Sequence, residues 1–313
     1  MNNGKKLISV VVPIYNEIAM VDEIIGRIRA VFSTIKNYDY EIVFFDDGST
    51  DGTRAAIEKI CVEAEDVKSV FYTRNFGYLK NTFYCMQQAK GDCAIIVHAD
   101  LQNPPELIPE FIKKWENGAQ VVLGVKNQSK ENKFVYFLRS VFYFLMINVF
   151  GIGLTPHATE FELFDKSFIE TLKRIKASTP FLRGIVNQYA SSTDYVYYTQ
   201  DARKKGKSKF NLNKYYDFAI CGITQYSVCL PRRIIFCCVV TFLVLMTEFF
   251  FLAVPHIIRS GFLDCLNTIV LHAILAVLIA LIIIICIVFE YVISIAHNSE
   301  DKPLVVEEKR INY

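Results

Sequence analysis

Through the first 125 positions, short runs of β-branched and aromatic residues alternate with amphipathic stretches. The runs 7–13, 40–46, 67–73, 93–98 and 120–125 read as strands, and 21–35, 53–63, 79–89 and 106–116 carry apolar residues at helical spacing. Repeated β-α-β units predict an α/β domain built on a mostly parallel sheet with helices on both faces. Ligands of such sheets bind beyond the carboxyl ends of the strands. Four polar clusters each follow a predicted strand: Pro13-Ile14-Tyr15-Asn16-Glu17, Asp46-Asp47-Gly48-Ser49-Thr50-Asp51, Arg74-Asn75-Phe76-Gly77 and His98-Ala99-Asp100-Leu101-Gln102. One such cluster is ordinary turn chemistry; four at one end of one sheet mark a site.

Beyond residue 230 the pattern changes. Positions 234–254 are apolar except for Thr241, Thr247 and Glu248, and 266–296 carry Asn267, Thr268 and His272 near their start and Glu290 near their end. Each stretch exceeds the roughly 20 residues that cross a bilayer core. The short link 256–265 predicts a two-helix transmembrane hairpin; a buried helix pair in a soluble domain is the alternative. Arg232 and Arg233 precede the first span and a basic stretch, 203–209, lies upstream, whereas the link holds only Arg259. The positive-inside rule then places the N-terminal domain and the tail in the cytoplasm, in a multi-pass protein of the plasma (inner) membrane. Glu248 within a span predicts a helix–helix or subunit contact, or a side chain reaching a headgroup.

The aromatic segment 134–150 is short for a span and reads either as an interfacial helix lying on the bilayer or as a core helix. A second in-plane helix is expected over 213–230. The predicted division is therefore 1–230 for the catalytic domain, 231–298 for the two spans and 299–313 for a cytoplasmic tail.

Composition narrows the classes. The chain has 34 Lys+Arg against 32 Asp+Glu, a net charge of +2, which argues against a nucleic-acid binder. Its 9 Cys show no CxxC spacing and several lie in apolar runs, as small hydrophobes do in a reducing compartment. Met1 leads almost directly into the first strand without an apolar h-region, so no cleavable signal is expected.

Acidic strand ends repel phosphate. They suit a base or ribose hydroxyls, or a divalent cation that neutralises a diphosphate. Neither GxGxxG nor GxxxxGK[ST] occurs, which removes the usual support for dinucleotide oxidoreductases and P-loop enzymes. Asp46 and Asp47 also suit a cap and turn for the helix at Thr53. Asp100, just before Pro104-Pro105, is the best single metal-ligand candidate, and an oxygen-rich site with a diphosphate suits Mg²⁺ or Mn²⁺. Lys204-Lys205-Gly206-Lys207-Ser208-Lys209 is a flexible basic loop before the first span, placed either to meet phosphate or to rest on anionic lipid.

Val11-Val12-Pro13-Ile14-Tyr15-Asn16-Glu17, Asp46-Asp47-Gly48-Ser49-Thr50-Asp51-Gly52-Thr53, Arg74-Asn75-Phe76-Gly77 and Asp100-Leu101-Gln102-Asn103-Pro104-Pro105-Glu106 together resemble the family 2 glycosyltransferases. The similarity is to their polyprenyl-phosphate group, which includes bactoprenol glucosyltransferase and dolichol-phosphate mannose synthase. Phe181-Leu182-Arg183-Gly184, Arg203 with Gly206-Lys207-Ser208-Lys209-Phe210, and Pro231-Arg232 extend it over nearly the whole chain. The resemblance implies a GT-A type domain and inverting transfer of one sugar to a lipid phosphate such as undecaprenyl phosphate, from a UDP-sugar in preference to a GDP-sugar. It also implies Mg²⁺ or Mn²⁺ dependence and, with Glu248, a homo-oligomer (dimer or tetramer).

Position by position, the resemblance implies that Pro13, Tyr15, Glu17, Asp46, Asp47, Arg74 and Asp100 line the nucleotide pocket, and that Asp100, Gln102 and His98 form the metal site. Asp100, Glu160, Arg203 and Lys209 would carry catalysis. Lys126, Arg139, Arg183, Arg203, Lys207, Ser208 and Lys209 would meet the diphosphate or the acceptor phosphate.

Three positions depart from the family. His98 stands where a carboxylate is usual, so the metal site loses a negative charge. Thr159-Glu160-Phe161-Glu162-Leu163 replaces Gly-Asp-Phe-Arg-Leu, keeping a carboxylate at Glu160 but reversing a charge at Glu162. Lys126 replaces an Arg and cannot reproduce its bidentate fork. A phosphate acceptor is already ionised at neutral pH, so Glu160 need only orient it. Transfer to a glycan or glycolipid hydroxyl, and a catalytically weakened scaffold of the same fold, are the alternatives.

Overall fold

The computed structural model describes residues 4–128, 140–199, 220, 222–223, 226–227, 229–248, 251, 262–299 and 303–313. The predicted alternation is present: β1 (Lys6–Ile14), α1 (Val21–Thr34), β2 (Tyr38–Asp46), α2 (Thr53–Glu63), β3 (Val67–Tyr72), α3 (Tyr78–Gln88), β4 (Cys93–Ile96), α4 (Ile108–Glu116) and β5 (Val121–Gln128). β1 is buried at every position from Ile8 to Ile14. Such an unbroken apolar run is what a central parallel strand covered on both faces requires. α1 buries Ile24, Ile25, Ile28, Val31 and Phe32, the stripe of an amphipathic helix packed on that sheet.

The rest of the sheet comes from segments without a clear strand pattern. β6 (Ala158–Asp165) inserts antiparallel between β4 and β5, and β7 (Thr193–Thr199) runs parallel to β5. Between them lie α5 (Lys166–Arg174) and α6 (Leu182–Tyr189). Asp165 caps α5 by accepting from the Ser167 N–H at 2.8 Å. The last strand, β8 (Glu307–Ile311), pairs antiparallel with β3 and completes an eight-stranded sheet ordered β7-β5-β6-β4-β1-β2-β3-β8. The GT-A-like α/β expectation therefore holds, with antiparallel strands confined to β6 and β8.

The chain end is densely tied to this sheet. Thr73 N–H donates to the Val306 carbonyl at 3.0 Å, and Tyr84 donates to Glu307 at 2.7 Å. Glu308 pairs with Arg54 at 2.8 Å, and Lys309 with Glu58 at 2.7 Å. The Asn312 amide donates to the carbonyls of Cys61 and Val67, at 2.5 and 3.1 Å, and the Tyr313 hydroxyl donates to the Gln88 carbonyl. The expected tail is thus, in its described part, an edge strand of the sheet.

The described residues fall into two compact units. One is the sheet unit, which includes residues 153–199 and 303–313; the other spans Phe144–Ile152 and the described residues from 220 to Ser299. The second contains α7 (Cys229–Glu248) and α8 (Phe262–Ser299). Within α8, Ala276–Ile293 is long and apolar enough to cross a membrane, the one such helix among the described residues. Ser140–Val149 forms a shorter apolar helix whose last turn is π. Arg233 donates to the carbonyls of Asn148 and Val149, each at 2.5 Å, joining the end of that helix to α7. Most of the predicted link between the spans, and residues 134–139 and 213–219 of the predicted in-plane helices, lie outside the described residues.

Candidate active site

At the β1 and β2 ends, three loops are knitted together by side chains. Asn16 adopts a left-handed φ of 53°; its N–H donates to Ser49 Oγ at 2.8 Å and its side-chain oxygen accepts from Thr50 N–H at 2.7 Å. Glu17 N–H donates to Thr53 Oγ1 at 3.0 Å. Asp51 accepts from both the N–H and the hydroxyl of Thr53, so the side-chain contact at the start of α2 belongs to Asp51. Pro13 is buried within β1, whereas Tyr15 and Glu17 are half-buried just beyond it.

Asp46 and Asp47 are buried to 0% and 2% exposure, and their oxygens are engaged. Asp46 accepts from Ser49 N–H, and Asp47 accepts from the N–H groups of Phe76 at 2.7 Å and Gly77 at 3.0 Å. Burial lifts the Asp47 carboxyl to about 6, against the pull of those two donors. Asp47 thus positions the Arg74–Gly77 loop, on which the exposed Arg74 guanidinium lies 4.5 Å from the Phe76 ring. Gly48, at φ +71°, lets the two loops touch: a Cβ there would meet the Arg74 carbonyl carbon at 2.6 Å.

Beyond β4, His98 Nε2 lies 3.1 Å from the Glu160 carbonyl. A carbonyl only accepts, so this contact assigns the proton to Nε2 and leaves Nδ1 with its lone pair. Burial holds the imidazole pKa below its usual value, opposed by Asp100. Asp100 accepts from Gln102 N–H at 3.2 Å, around a left-handed Leu101. The Asp100 carboxylate and the His98 lone pair fit Mg²⁺ or Mn²⁺ shared with a diphosphate. Such ions commonly take one or two protein ligands and complete their shell from phosphate and water. The described residues contain no cluster of three or more His, Cys, Asp or Glu that could hold a metal ion.

Beside this loop lies a buried charged cluster. Glu160 accepts a hydrogen bond from the Tyr78 hydroxyl, and its other oxygen faces Arg183 Nε at 3.5 Å. Arg183 also reaches the Tyr143 hydroxyl at 3.4 Å. Burial pushes the Glu160 carboxyl above its usual range, with Arg183 opposing. Glu162, one strand period deeper, is 1% exposed and its Oε2 has no hydrogen-bond partner. Burial and the Glu160 charge push Glu162 to about 8.

The structure thus brings His98, Asp100, Glu160 and Arg183 into adjoining positions around the β4 and β6 ends. Lys126 sits half-buried at the end of β5, its N–H donating to the His157 carbonyl at 3.1 Å. Arg139, Arg203, Lys207, Ser208 and Lys209 lie outside the described residues.

Two contributors went unseen in the sequence. Tyr78 looks like an ordinary first-turn helix residue. Tyr198 donates to Asn103 and meets Thr159 Oγ1 at 2.9 Å, bracing the loop after β4 against β6 and β7. Only long-range pairing reveals either.

Comparison with known proteins identifies the family. The family model described as glycosyl transferase family 2 matches residues 9–189. An uncharacterized glycosyltransferase of Bacillus subtilis (strain 168), YkcC, is 34% identical over 220 residues, 70% of this chain and 68% of the relative. The bactoprenol glucosyl transferase of Shigella phage SfV is 33% identical over 228 residues, 72% of this chain and 74% of the relative. Glucosyl-3-phosphoglycerate synthase from Mycobacterium tuberculosis, solved with Mn²⁺, UDP and phosphoglyceric acid, shares the fold with a TM-score of 0.50 at 17% identity; the match covers 70% of this chain and 76% of that one. Matched by the family model over more than half its length, and more than 30% identical to relatives over most of theirs, the chain belongs to glycosyl transferase family 2 and is a glycosyltransferase.

Proposed function

We propose that the protein transfers a single sugar, with inversion, from a nucleotide-sugar (a UDP-sugar in preference) to a polyprenyl phosphate at the cytoplasmic face of the plasma membrane. The observation that carries this reading is the position of Glu160: held by Tyr78 and Arg183, it lies directly against the His98–Asp100 loop that would receive the donor diphosphate. Relatives named bactoprenol glucosyl transferases support the lipid acceptor.

An acceptor phosphate oxygen forms the new bond to the anomeric carbon from the face opposite the nucleotide. The bond from that carbon to the diphosphate oxygen breaks, and the nucleoside diphosphate leaves with the electron pair. Asp100 and His98 would hold Mg²⁺ or Mn²⁺, which would supply positive charge to the leaving diphosphate. Asp47 fixes the loop carrying Arg74, and Asp46 the turn beside it, so the two shape the pocket rather than touch phosphate. Glu160 orients the acceptor, which brings its own ionised nucleophile.

Membrane attachment is supported by the apolar surface of α8 and by chain order. After β7 the chain builds α7 and α8, then returns to the same sheet as β8. Both ends of the helical segment therefore belong to one domain, and a segment that leaves and rejoins a domain on one side of a bilayer crosses it an even number of times. Two crossings would meet that condition, one by α8 and one by the apolar stretch 234–254, with the C-terminus on the side of the catalytic domain.

The Glu160–Glu162 pair favours a second reading, transfer to a glycan hydroxyl with Glu160 as base, because burial raises its proton affinity. The deciding experiment incubates the detergent-solubilised protein with undecaprenyl phosphate, Mn²⁺ or Mg²⁺ and a panel of UDP- and GDP-sugars, and reads the lipid fraction by mass spectrometry. A lipid-phosphate sugar, lost in Asp100→Ala, is expected; sugar found only on hydroxyl acceptors supports the second reading instead.

A further inference from the structure

Between the β5–β6–β7 face and α6 lies a cavity of about 80 Å³, lined by Glu162, Arg183, Asn187, Thr155, Tyr195 and Leu123 among others. Each water needs some 10–15 Å³ of such space. The cavity is thus too small for a nucleotide and large enough for several waters or the hydroxyl-bearing edge of a sugar ring. Glu162 supplies the unmet demand: its carboxyl is 1% exposed, lines the cavity, and leaves Oε2 without a partner. Asn187, also in the lining, is packed so tightly on Gly153 that a Cβ at Gly153 would lie 2.2 Å from the amide oxygen.

We infer that this cavity is a subsite for saccharide hydroxyls, with Glu162 as the residue that decides which hydroxyl pattern is accepted. The inference rests on the glycosyltransferase reading above and extends it to the sugar.

The lining chemistry selects this ligand class. Arg183 repels a metal cation. A phosphate gains little, because Arg183 is already faced by Glu160 and Glu162 adds no positive charge. The groups facing Glu162 are Glu160 on its own strand, Arg183 from α6 and Tyr195 from β7, while β5 contributes the uncharged Leu123. With its carboxyl pushed to about 8, Glu162 is largely the neutral acid at pH 7 and both donates and accepts. A carboxyl, an amide, a guanidinium and hydroxyls around one small cavity match the paired donors and acceptors of vicinal diols. Two sources carry that chemistry: the sugar being transferred, or a separate saccharide.

The test uses the full chain in detergent with UDP-glucose, UDP-galactose and UDP-N-acetylglucosamine. Glu162→Gln preserves a neutral hydrogen-bonding group and should hold each KM within about threefold, whereas Glu162→Leu should raise the preferred donor's KM roughly tenfold and narrow the KM ratio between epimeric donors, leaving kcat nearly unchanged. Asn187→Ala checks a second lining residue without altering the buried strand. In parallel, infrared difference spectra follow the protonated-carboxyl stretch that Glu162→Gln removes, with free glucose, galactose or mannose added. A changed donor ratio assigns the subsite to the transferred sugar. An unchanged ratio with a sugar-induced shift of the band assigns it to a separate saccharide. An unchanged ratio and an unmoved band overturn the inference. Should the wild type turn over none of the three donors, the preference for a UDP-sugar in the proposed function fails, and the infrared result alone decides the subsite.

Discussion

The Tyr78 hydroxyl, at the first turn of α3, donates to the Glu160 carboxylate in β6, while Arg183 Nε lies 3.5 Å from the other Glu160 oxygen. A buried carboxylate gripped from two sides is held in one orientation next to the His98–Asp100 loop. Tyr78→Phe removes one grip without emptying the space. A hydrogen bond to a charged group contributes about 1.5–3 kcal/mol, so kcat should fall roughly tenfold to a hundredfold with donor KM little changed. Steady-state kinetics with lipid phosphate and donor varied separately checks this.

Asp47 predicts a different failure. Asp47→Ala leaves two N–H groups, of Phe76 and Gly77, without their acceptor and releases the Arg74 loop. Loss of these charge-assisted bonds should cost about 2–4 kcal/mol and weaken nucleotide binding, with the effect on UDP alone as large as on a UDP-sugar. Thermal unfolding in detergent and calorimetric titration with UDP report the two effects.

Glu162 makes stability depend on pH. Its folded pKa, about 8, lies above the ordinary carboxyl value of 4.5, so the folded state binds the proton more tightly than the unfolded state. Its contribution is fully present below about 4.5, declines as pH rises, and is gone above about 8. Glu162→Gln cannot ionise. Its stability should gain on the wild type steadily between pH 5 and 8, by on the order of a few kcal/mol, and level off above that, with the difference in melting temperature following it. A parallel pH dependence of the two melting curves would contradict this.

On the proposed function, His98 would set the metal preference. A nitrogen ligand in place of a carboxylate costs Mg²⁺, a hard cation, more than Mn²⁺. His98→Asp should therefore tighten Mg²⁺ binding in the presence of UDP by about tenfold and narrow the gap to Mn²⁺. Manganese EPR, with Mg²⁺ as competitor, measures both affinities without turnover.

The chain end is a structural strand. Deleting residues 303–313 strips β8 from β3 and exposes an unpaired sheet edge, so the truncated protein should melt lower and aggregate. Asn312→Ala, which removes the amide from the Cys61 and Val67 carbonyls, should be milder, at about 1–2 kcal/mol. Size-exclusion profiles and melting temperatures of both variants test the order.

The sequence by itself determined the elements whose cause is local. β1 to β5 and α1 to α4 are legible because each apolar run or stripe buries against its immediate chain neighbours, and the acidic loops follow where parallel strands end. The apolar length of α8 is likewise a property of consecutive residues. The tertiary structure alone decided the rest. β6 carries Glu160 and Glu162 inside the protein, a pattern that reads as solvent-facing until Arg183 and Tyr78 arrive from distant segments. β8 reads as a charged tail because Glu308 and Lys309 find Arg54 and Glu58 only across the whole chain. Periodicity records which side of an element is buried. It does not record which remote charge or edge compensates a polar group there, and that compensation built the candidate site.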